Sequence, residues 1–268
     1  MQLSLSGYIF EEGYKKQLIS LKDFIKLAAK AGYDAVQLRN TQISIDASYY
    51  ERKQIFELVR SEGLFISCLT ARRIGKAGSD NEKKEIMNKY IKLCTDMECS
   101  MIKVSGDVEF IKWAADQASK YGITITANNH IGGNLETISG TLDEIKAVNR
   151  KNYGIMYDPY HLVLTNQDYI GCIDKLASYT KNILVHICRK IKEGEKADYH
   201  YKDKTSWVAD YPDAKGVQDF RTILSKFKQN GYDGVVTLFQ DSSGSIKDKI
   251  HFIEYSAKAL KYFWKNNK

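Results

Sequence analysis

Residues 101–131 read MIKVSGDVEFIKWAADQASKYGITITANNHI, and this stretch decides the architecture. Met101 to Val104 is a short apolar run of strand length, Val108 to Lys120 carries apolar residues at helical spacing, and Ile123 to Ala127 is a second short strand. A helix between two short apolar strands is the unit from which parallel sheets are built, because the crossover returns the chain to its starting edge.

The same cycle recurs on both sides. Toward the N-terminus, QLSLSGYIF (2–10) reads as an alternating strand. Ser20 opens a helix that ends at Gly32, Ala35 to Leu38 is a strand, and a helix runs from about Ala47 to Ser61. A strand over Leu64 to Leu69 and a helix from about Asn81 to Met97 complete that side. Toward the C-terminus come helix Thr141 to Val148, strand Gly154 to Tyr157, helix Asp168 to Tyr179 and strand Ile183 to Ile187. Helix Val217 to Gln229, strand Val235 to Phe239 and a helix from about Lys247 to Lys265 close the chain. Eight strand-helix units in 268 residues favour an α/β fold of the closed (β/α)8 TIM barrel type over an open doubly wound sheet. A repeated joint agrees: Ala31-Gly-Tyr-Asp-Ala-Val36 and Asn230-Gly-Tyr-Asp-Gly-Val235 both put glycine at a helix C-terminus just before a strand. With only two prolines, Pro159 and Pro212, and no Ser/Gly/Pro-rich linker, residues 1–268 read as one domain. The longest irregular stretch, Lys190 to Gly216, has the length of a binding loop or lid, although its mixed charges also fit a solvated surface loop.

Composition narrows the class. Lys and Arg number 40 against 33 Asp and Glu, so the net charge of +7 is modest, and no Lys/Arg stripe with interleaved aromatics marks a nucleic-acid track. No apolar run approaches the roughly 20 residues that span a bilayer. The N-terminus lacks a basic segment followed by a long apolar one, and five cysteines form no CxxC. The expectation is a cytoplasmic protein with reduced thiols, Cys94 and Cys99 packing in the core. No GxGxxG or Walker-type loop follows a strand.

In such a barrel the chemistry sits at the C-terminal strand ends. Three of the five histidines fall there, at His130, His161 and His186; His200 and His251 read as ordinary surface or core residues. Asp158 and His186 have the character of metal ligands, a hard oxygen and an imidazole nitrogen from adjacent strands. His161 suits a proton carrier or a hydroxyl-orienting group. Gln37 and Arg39, Arg72 and Arg73, and Lys103 and Ser105 flank the same mouth and make it cationic, the arginines being placed to clamp a phosphate or carboxylate. The competing account of Arg72, Arg73 and Lys76 is a solvated loop.

Gly122-Ile-Thr-Ile-Thr-Ala-Asn-Asn-His-Ile-Gly-Gly133, Gly154-Ile-Met-Tyr-Asp-Pro-Tyr-His-Leu162, Ile183-Leu-Val-His-Ile187 and Gly231-Tyr-Asp-Gly-Val-Val-Thr-Leu238, in this order and spacing, resemble the xylose isomerase-like barrel superfamily of sugar phosphate isomerases and epimerases. The resemblance covers nearly the whole chain. It implies four ligands on one divalent cation: a Glu ending the fifth strand, the Asp of Asp-x-x-His, the His ending the seventh strand and a Glu ending the eighth. Asp158, His161, His186 and His130 match that pattern, but Asn128 and Phe239 stand where the two glutamates are expected. In the epimerases those glutamates also exchange the proton beside the carbonyl. An amide takes no proton at neutral pH, and a phenyl ring neither binds a cation as a ligand nor carries a proton. Gln240 or Asp241 would serve only if the eighth strand were shifted, and a one-residue slip turns a side chain to the other face.

The resulting expectation is a divergent sugar isomerase or epimerase, or a lyase-type relative, acting on or binding a small sugar, sugar phosphate or sugar acid. His130, His161 and Lys103 are the proton carriers, and Asn128, Arg72, Arg189, Tyr160 and Gln240 the substrate-binding candidates. Asp158 and His186 hold a weak Mn2+, Mg2+ or Zn2+, or no metal at all. Self-association is left open. A barrel that binds sugar without turning it over is the main alternative. A nuclease ranks last, because five histidines without the two glutamates do not supply the three-zinc cluster such an enzyme implies.

Overall fold

In the computed structural model, residues 1–71, 74, 77–240 and 244–266 are described. Eight parallel strands close into a barrel: β1 (Gln2–Ser6), β2 (Ala35–Leu38), β3 (Phe65–Thr70), β4 (Met101–Lys103), β5 (Thr124–Asn128), β6 (Tyr153–Tyr157), β7 (Thr180–Val185) and β8 (Val235–Leu238). Each strand pairs with the next in sequence, and β8 returns to β1 with Leu238 opposite Leu5. The expected TIM barrel is the observed fold.

The helices are α1 (Leu21–Lys30), α2 (Tyr49–Ser61), α3 (Asp80–Asp96), α4 (Val108–Ser119), α5 (Ile138–Val148), α6 (Pro159–Leu164), α7 (Ile173–Leu176), α8 (Phe220–Gln229) and α9 (Ile246–Lys265). Their starts are chemically marked. The side chains of Ser20, Ser48, Ser79, Asp107, Thr137, Asp158, Asp219 and Ser245 each accept a first-turn backbone N–H that has no partner within the helix. At the repeated joint, Gly32 and Gly231 take φ of +85° and +77°, where a β-carbon would be strained.

Most strand and helix limits lie within one to three residues of the sequence reading, but three segments differ. The run 2–10 ends as a strand at Ser6 and continues as a 3-10 turn over Gly7–Phe10. There the Ser6 hydroxyl captures the Tyr8 N–H, and Gly7 packs so tightly against Gln42 that a β-carbon would collide with its amide. The helix read over Asp168 to Tyr179 shrinks to α7 and a 3-10 turn, because the Asp168 carboxylate takes the N–H groups of Ile170 and Gly171 into a local turn. The stretch read as irregular, 190–216, carries most of a small antiparallel sheet. Arg189–Lys190 and Tyr199–His200 both pair with Ser206–Val208.

Strand alternation sorts the core. Leu3 and Leu5, Val36 and Leu38, Ile155 and Tyr157, Ile183 and Val185, and Val236 and Leu238 face outward into the helix layer. Residues of opposite parity fill the lumen, where Cys68, Met101, Met156 and Leu184 pack beneath Phe239 and Tyr8. Some lumen polar groups pair with one another: the Ser4 and Ser67 hydroxyls lie 2.7 Å apart, and Thr237 donates to Asn182 Oδ1 at 3.0 Å. The lumen is therefore a packed core closed by an aromatic layer. All five cysteines are free and buried, Cys94 and Cys99 within the helix-facing core. Among the described residues no helix is long and apolar enough to cross a membrane.

Candidate active site at the barrel mouth

The parity that fills the lumen also aims the next inward residue of each strand at the mouth. Met156 lies in the lumen, so Asp158, two positions on, points the same way; Leu184 does this for His186, Thr237 for Phe239, Thr126 for Asn128 and Met101 for Lys103. Asn128, His186, Phe239 and Lys103 line one cavity of about 1000 Å³, with Arg39, Tyr8, Tyr14, His130, Tyr160 and His161. Asp158 is fully buried at its base. Gln240 has the other parity, and its Oε1 accepts the Ile187 N–H at 2.7 Å while the residue lines the cavity.

Asp158 is held from three sides. Asn129 exchanges two hydrogen bonds with its backbone, Nδ2 donating to Asp158 O and Oδ1 accepting from Asp158 N, both at 2.8 Å. The Asp158 Oδ1 accepts the Tyr160 N–H that starts α6. Its Oδ2 faces two rings, His186 Nδ1 at 3.3 Å and His161 Nε2 at 3.5 Å. Burial alone would raise the Asp158 carboxyl; His161, His186 and Lys103 outweigh it and bring the group down to about 2. Burial likewise pushes His161 down to about 3 against the pull of Asp158, so at neutral pH a neutral imidazole lies beside a carboxylate. Buried His161 Nδ1 has no hydrogen-bond partner among the described residues, and neither has Asn128 Nδ2. Tyr160 stacks on His186 at 3.9 Å, and the exposed His130 ring sits 4.0 Å from His161.

The opposite wall is aromatic and cationic. Tyr8 stacks on Phe239 at 4.7 Å, and His186 meets the Phe239 ring edge-on at 5.7 Å. Lys103 Nζ lies 4.7 Å from the Phe239 ring centre and the Arg39 guanidinium 5.8 Å from it. Arg39 is neutralised by Glu11 at 2.8 Å, a pair with side chains 5% and 3% exposed, and Thr41 donates to the same carboxylate. Burial lowers Lys103 to about 8, with Arg39 adding to the effect and Asp158 and Cys68 opposing it.

The remaining candidates read from the sequence sit elsewhere or differently. Arg189 lies outside the mouth. Its guanidinium grips Glu195 through two bonds and Asp210 through a third, so it anchors the small sheet instead of clamping a substrate. Arg72, with Arg73, Lys76 and Asp241, lies outside the described residues. His200 bonds Ser206 at the surface and His251 is exposed, as expected. Gln37, expected at the mouth, is buried below the rim and does not line the cavity.

Several site residues escaped the sequence reading. Tyr199, Trp207, Val208 and Ala209 roof the cavity from the small sheet, and Tyr201 reaches Glu136 across the rim at 3.2 Å. Asn129 is adjacent to a predicted residue, but its role depends on a strand 29 positions away. Glu144 and Asp198 are two further carboxylates on the cavity lining. Glu144 is bonded to Tyr153 at the other end of β6 from Asp158, and Asp198 accepts the Ala209 N–H. Neither joins the cluster of Asp158, His161 and His186.

As a donor set, Asp158, His161 and His186 offer one carboxylate oxygen and two imidazole nitrogens within 4.8 Å of one another. The convergence of His161 Nε2 and His186 Nδ1 on one carboxylate oxygen fits a borderline divalent ion; a single carboxylate is a poor match for Mg2+.

Known proteins share the barrel fold. A curated relative, inosose dehydratase from Lacticaseibacillus casei, is 26% identical over 155 residues, covering 55% of this chain and 49% of its own length. The chain thus spans about half the length of the curated relatives it matches. A xylose isomerase-like TIM barrel protein from Mycobacterium smegmatis in complex with magnesium superposes with a TM-score of 0.74 at 14% identity, over 98% of this chain and 97% of that one. D-psicose 3-epimerase with D-tagatose, from Clostridium cellulolyticum H10, gives 0.69 at 14% identity, over 100% and 99%. The family profile described as xylose isomerase-like TIM barrel matches residues 25–256, most of the closed sheet and its helices, and the chain belongs to that family.

Proposed function

We propose that the protein is a sugar-processing enzyme that moves a proton next to the carbonyl of a small sugar or sugar acid, with the lost glutamates replaced by groups already in the mouth. The observation that carries this reading is the meeting, across one cavity, of a buried ionised Asp158 with two imidazoles and a lysine lowered to about 8. A base of that strength works near neutral pH. Lys103 takes the proton and His130 relays it to the opening, while His161, kept neutral by burial, orients a hydroxyl. Asn128 and Tyr160 hold hydroxyls, and the Tyr8, Tyr160 and Trp207 rings cover the apolar face of a sugar. With Arg39 and Arg189 neutralised by carboxylates, a neutral sugar, or at most a singly charged sugar acid beside Lys103, fits better than a doubly charged phosphate. The dehydratase and epimerase neighbours support chemistry at the carbon beside a carbonyl. Asp158 and His186, joined by His161, would hold a divalent ion weakly. Such an ion, when bound, polarises a carbonyl oxygen.

The test is turnover of ketoses, their phosphates and sugar-derived acids, with and without Mn2+, followed by NMR in D2O. Deuterium entering at the carbon next to the carbonyl is the expected result; no exchange across the panel overturns the enzyme reading. One observation favours a second reading: Asn128 and Phe239 carry no exchangeable acid where the family pattern has two. A barrel that binds a sugar without converting it would show a raised melting temperature and no exchange.

A further inference from the structure

We propose that Lys103 is a covalent nucleophile whose amine condenses with the carbonyl carbon of a small ketose or keto acid to form a protonated imine. The inference deepens the reading above and rests on it for the substrate class. Lys103 ends β4 at inward parity and is the only lysine lining the mouth among the described residues. Among those residues no carboxylate lies within ion-pair distance of it, whereas Arg39 is paired with Glu11 and Asp158 faces His186. What holds the amine is the face of Phe239 at 4.7 Å, an apolar support that leaves its lone pair available once the proton is lost. Its charged and titratable neighbours are Arg39, Asp158, Cys68 and His161; burial and Arg39 favour the neutral amine, Asp158 opposes it, and burial holds Cys68 protonated and His161 neutral. Desolvation beside a second cation is a known means of making a lysine nucleophilic.

The step balances without a further reagent. The nitrogen lone pair forms a C–N bond while the carbonyl π pair moves to oxygen, giving a carbinolamine. The oxygen collects two protons, one from the attacking nitrogen and one relayed through His130 at the rim, and leaves as water. The iminium then draws electrons from the adjacent C–H bond, and its proton returns to His130, since the Lys103 nitrogen is now held in the imine and no longer acts as the base. An imine here does the work of carbonyl polarisation by a well-held metal, in a mouth whose base carries one carboxylate, Asp158, among the described residues.

The experiment is borohydride trapping of the full-length protein with dihydroxyacetone, followed by intact-mass measurement and peptide mapping. The expected product is one adduct per chain, heavier by the ketone less one oxygen atom, on the peptide containing Lys103. At neutral pH its labelling should exceed that of exposed lysines by about 10²-fold, the ratio of free amine that a value of about 8 gives over 10.5. Lys103→Arg keeps the charge over Phe239 and should lose that label alone; the wild-type map decides the matter even if the variant does not fold. Labels spread evenly over surface lysines overturn the proposal. A melting-temperature rise with D-fructose in the same samples separates the two levels. A rise without the Lys103 adduct overturns the covalent step and leaves the sugar site standing; neither signal overturns both.

Discussion

The two walls of the mouth are built on different principles. On the β6 and β7 side, Asp158, His161 and His186 converge polar atoms on a single oxygen, and Asn129 fixes the backbone beneath them. On the β8, β1 and β4 side, Phe239 sits under Tyr8 and supports two cations on its ring. The first wall keeps what the family pattern expects. The second presents an aromatic platform, and its neighbours fit that platform: Arg39 has its own buried partner in Glu11, whereas Lys103 has no carboxylate at ion-pair distance among the described residues. The lesson is that an aromatic ring at a strand end can support a neighbouring amine without giving it a counter-charge.

The largest effect should come from Lys103→Met. Removing the amine while keeping an apolar stem should cut turnover of any converted sugar by about 10²–10⁴-fold, the range typical of a lost acid-base group. Steady-state kinetics check this, and an unchanged rate would return the aromatic wall to a purely packing role. Next, Arg39→Met leaves Glu11 buried without its partner and should cost about 3–5 kcal/mol in urea unfolding. Restoring the first design with Asn128→Glu and Phe239→Glu together should strengthen Mn2+ binding by about 10–100-fold in calorimetry, by analogy with the loss seen when metal-site groups are removed. In the wild type, Zn2+ should bind more tightly than Mg2+.

The polar wall also has an acid signature. Unfolded, His161 takes a proton near 6.5 and Asp158 near 3.8; folded, they hold off to about 3 and about 2. The unfolded chain therefore binds more protons throughout that range. Stability from this wall is fully present above pH 6.5 and declines as pH falls toward 2. Thermal melts across the window should show the decline, and His161→Gln should flatten its upper part. The smallest effect belongs to the roof: Tyr201→Phe removes a half-exposed bond to Glu136 and should cost under about 1 kcal/mol.

The barrel was legible because its signal is repeated: eight short apolar runs separated by helical spacing leave few alternatives, and Asp158, His186 and Asn128 follow from strand ends. What escaped reading was non-local. Nothing in the sequence pairs Glu11 with Arg39, 28 residues away, or shows that Asp210 and Glu195 occupy Arg189. The sheet over Arg189–Val208 has strands of two or three residues, too short for alternation to register. Phe239 was visible as a missing acid, but its office as a platform depends on Tyr8, which a 3-10 turn in place of the expected strand brings overhead.

The twin bonds between Asn129 and the Asp158 peptide have one more consequence. They bolt the chemical anchor to β5 and β6, while the covering residues come from a separate sheet moored by Arg189 to its own loop. Appetite for one molecule or another can drift in the canopy while the hub stays in alignment, a division of labour that lets a lineage change diet without rebuilding its engine.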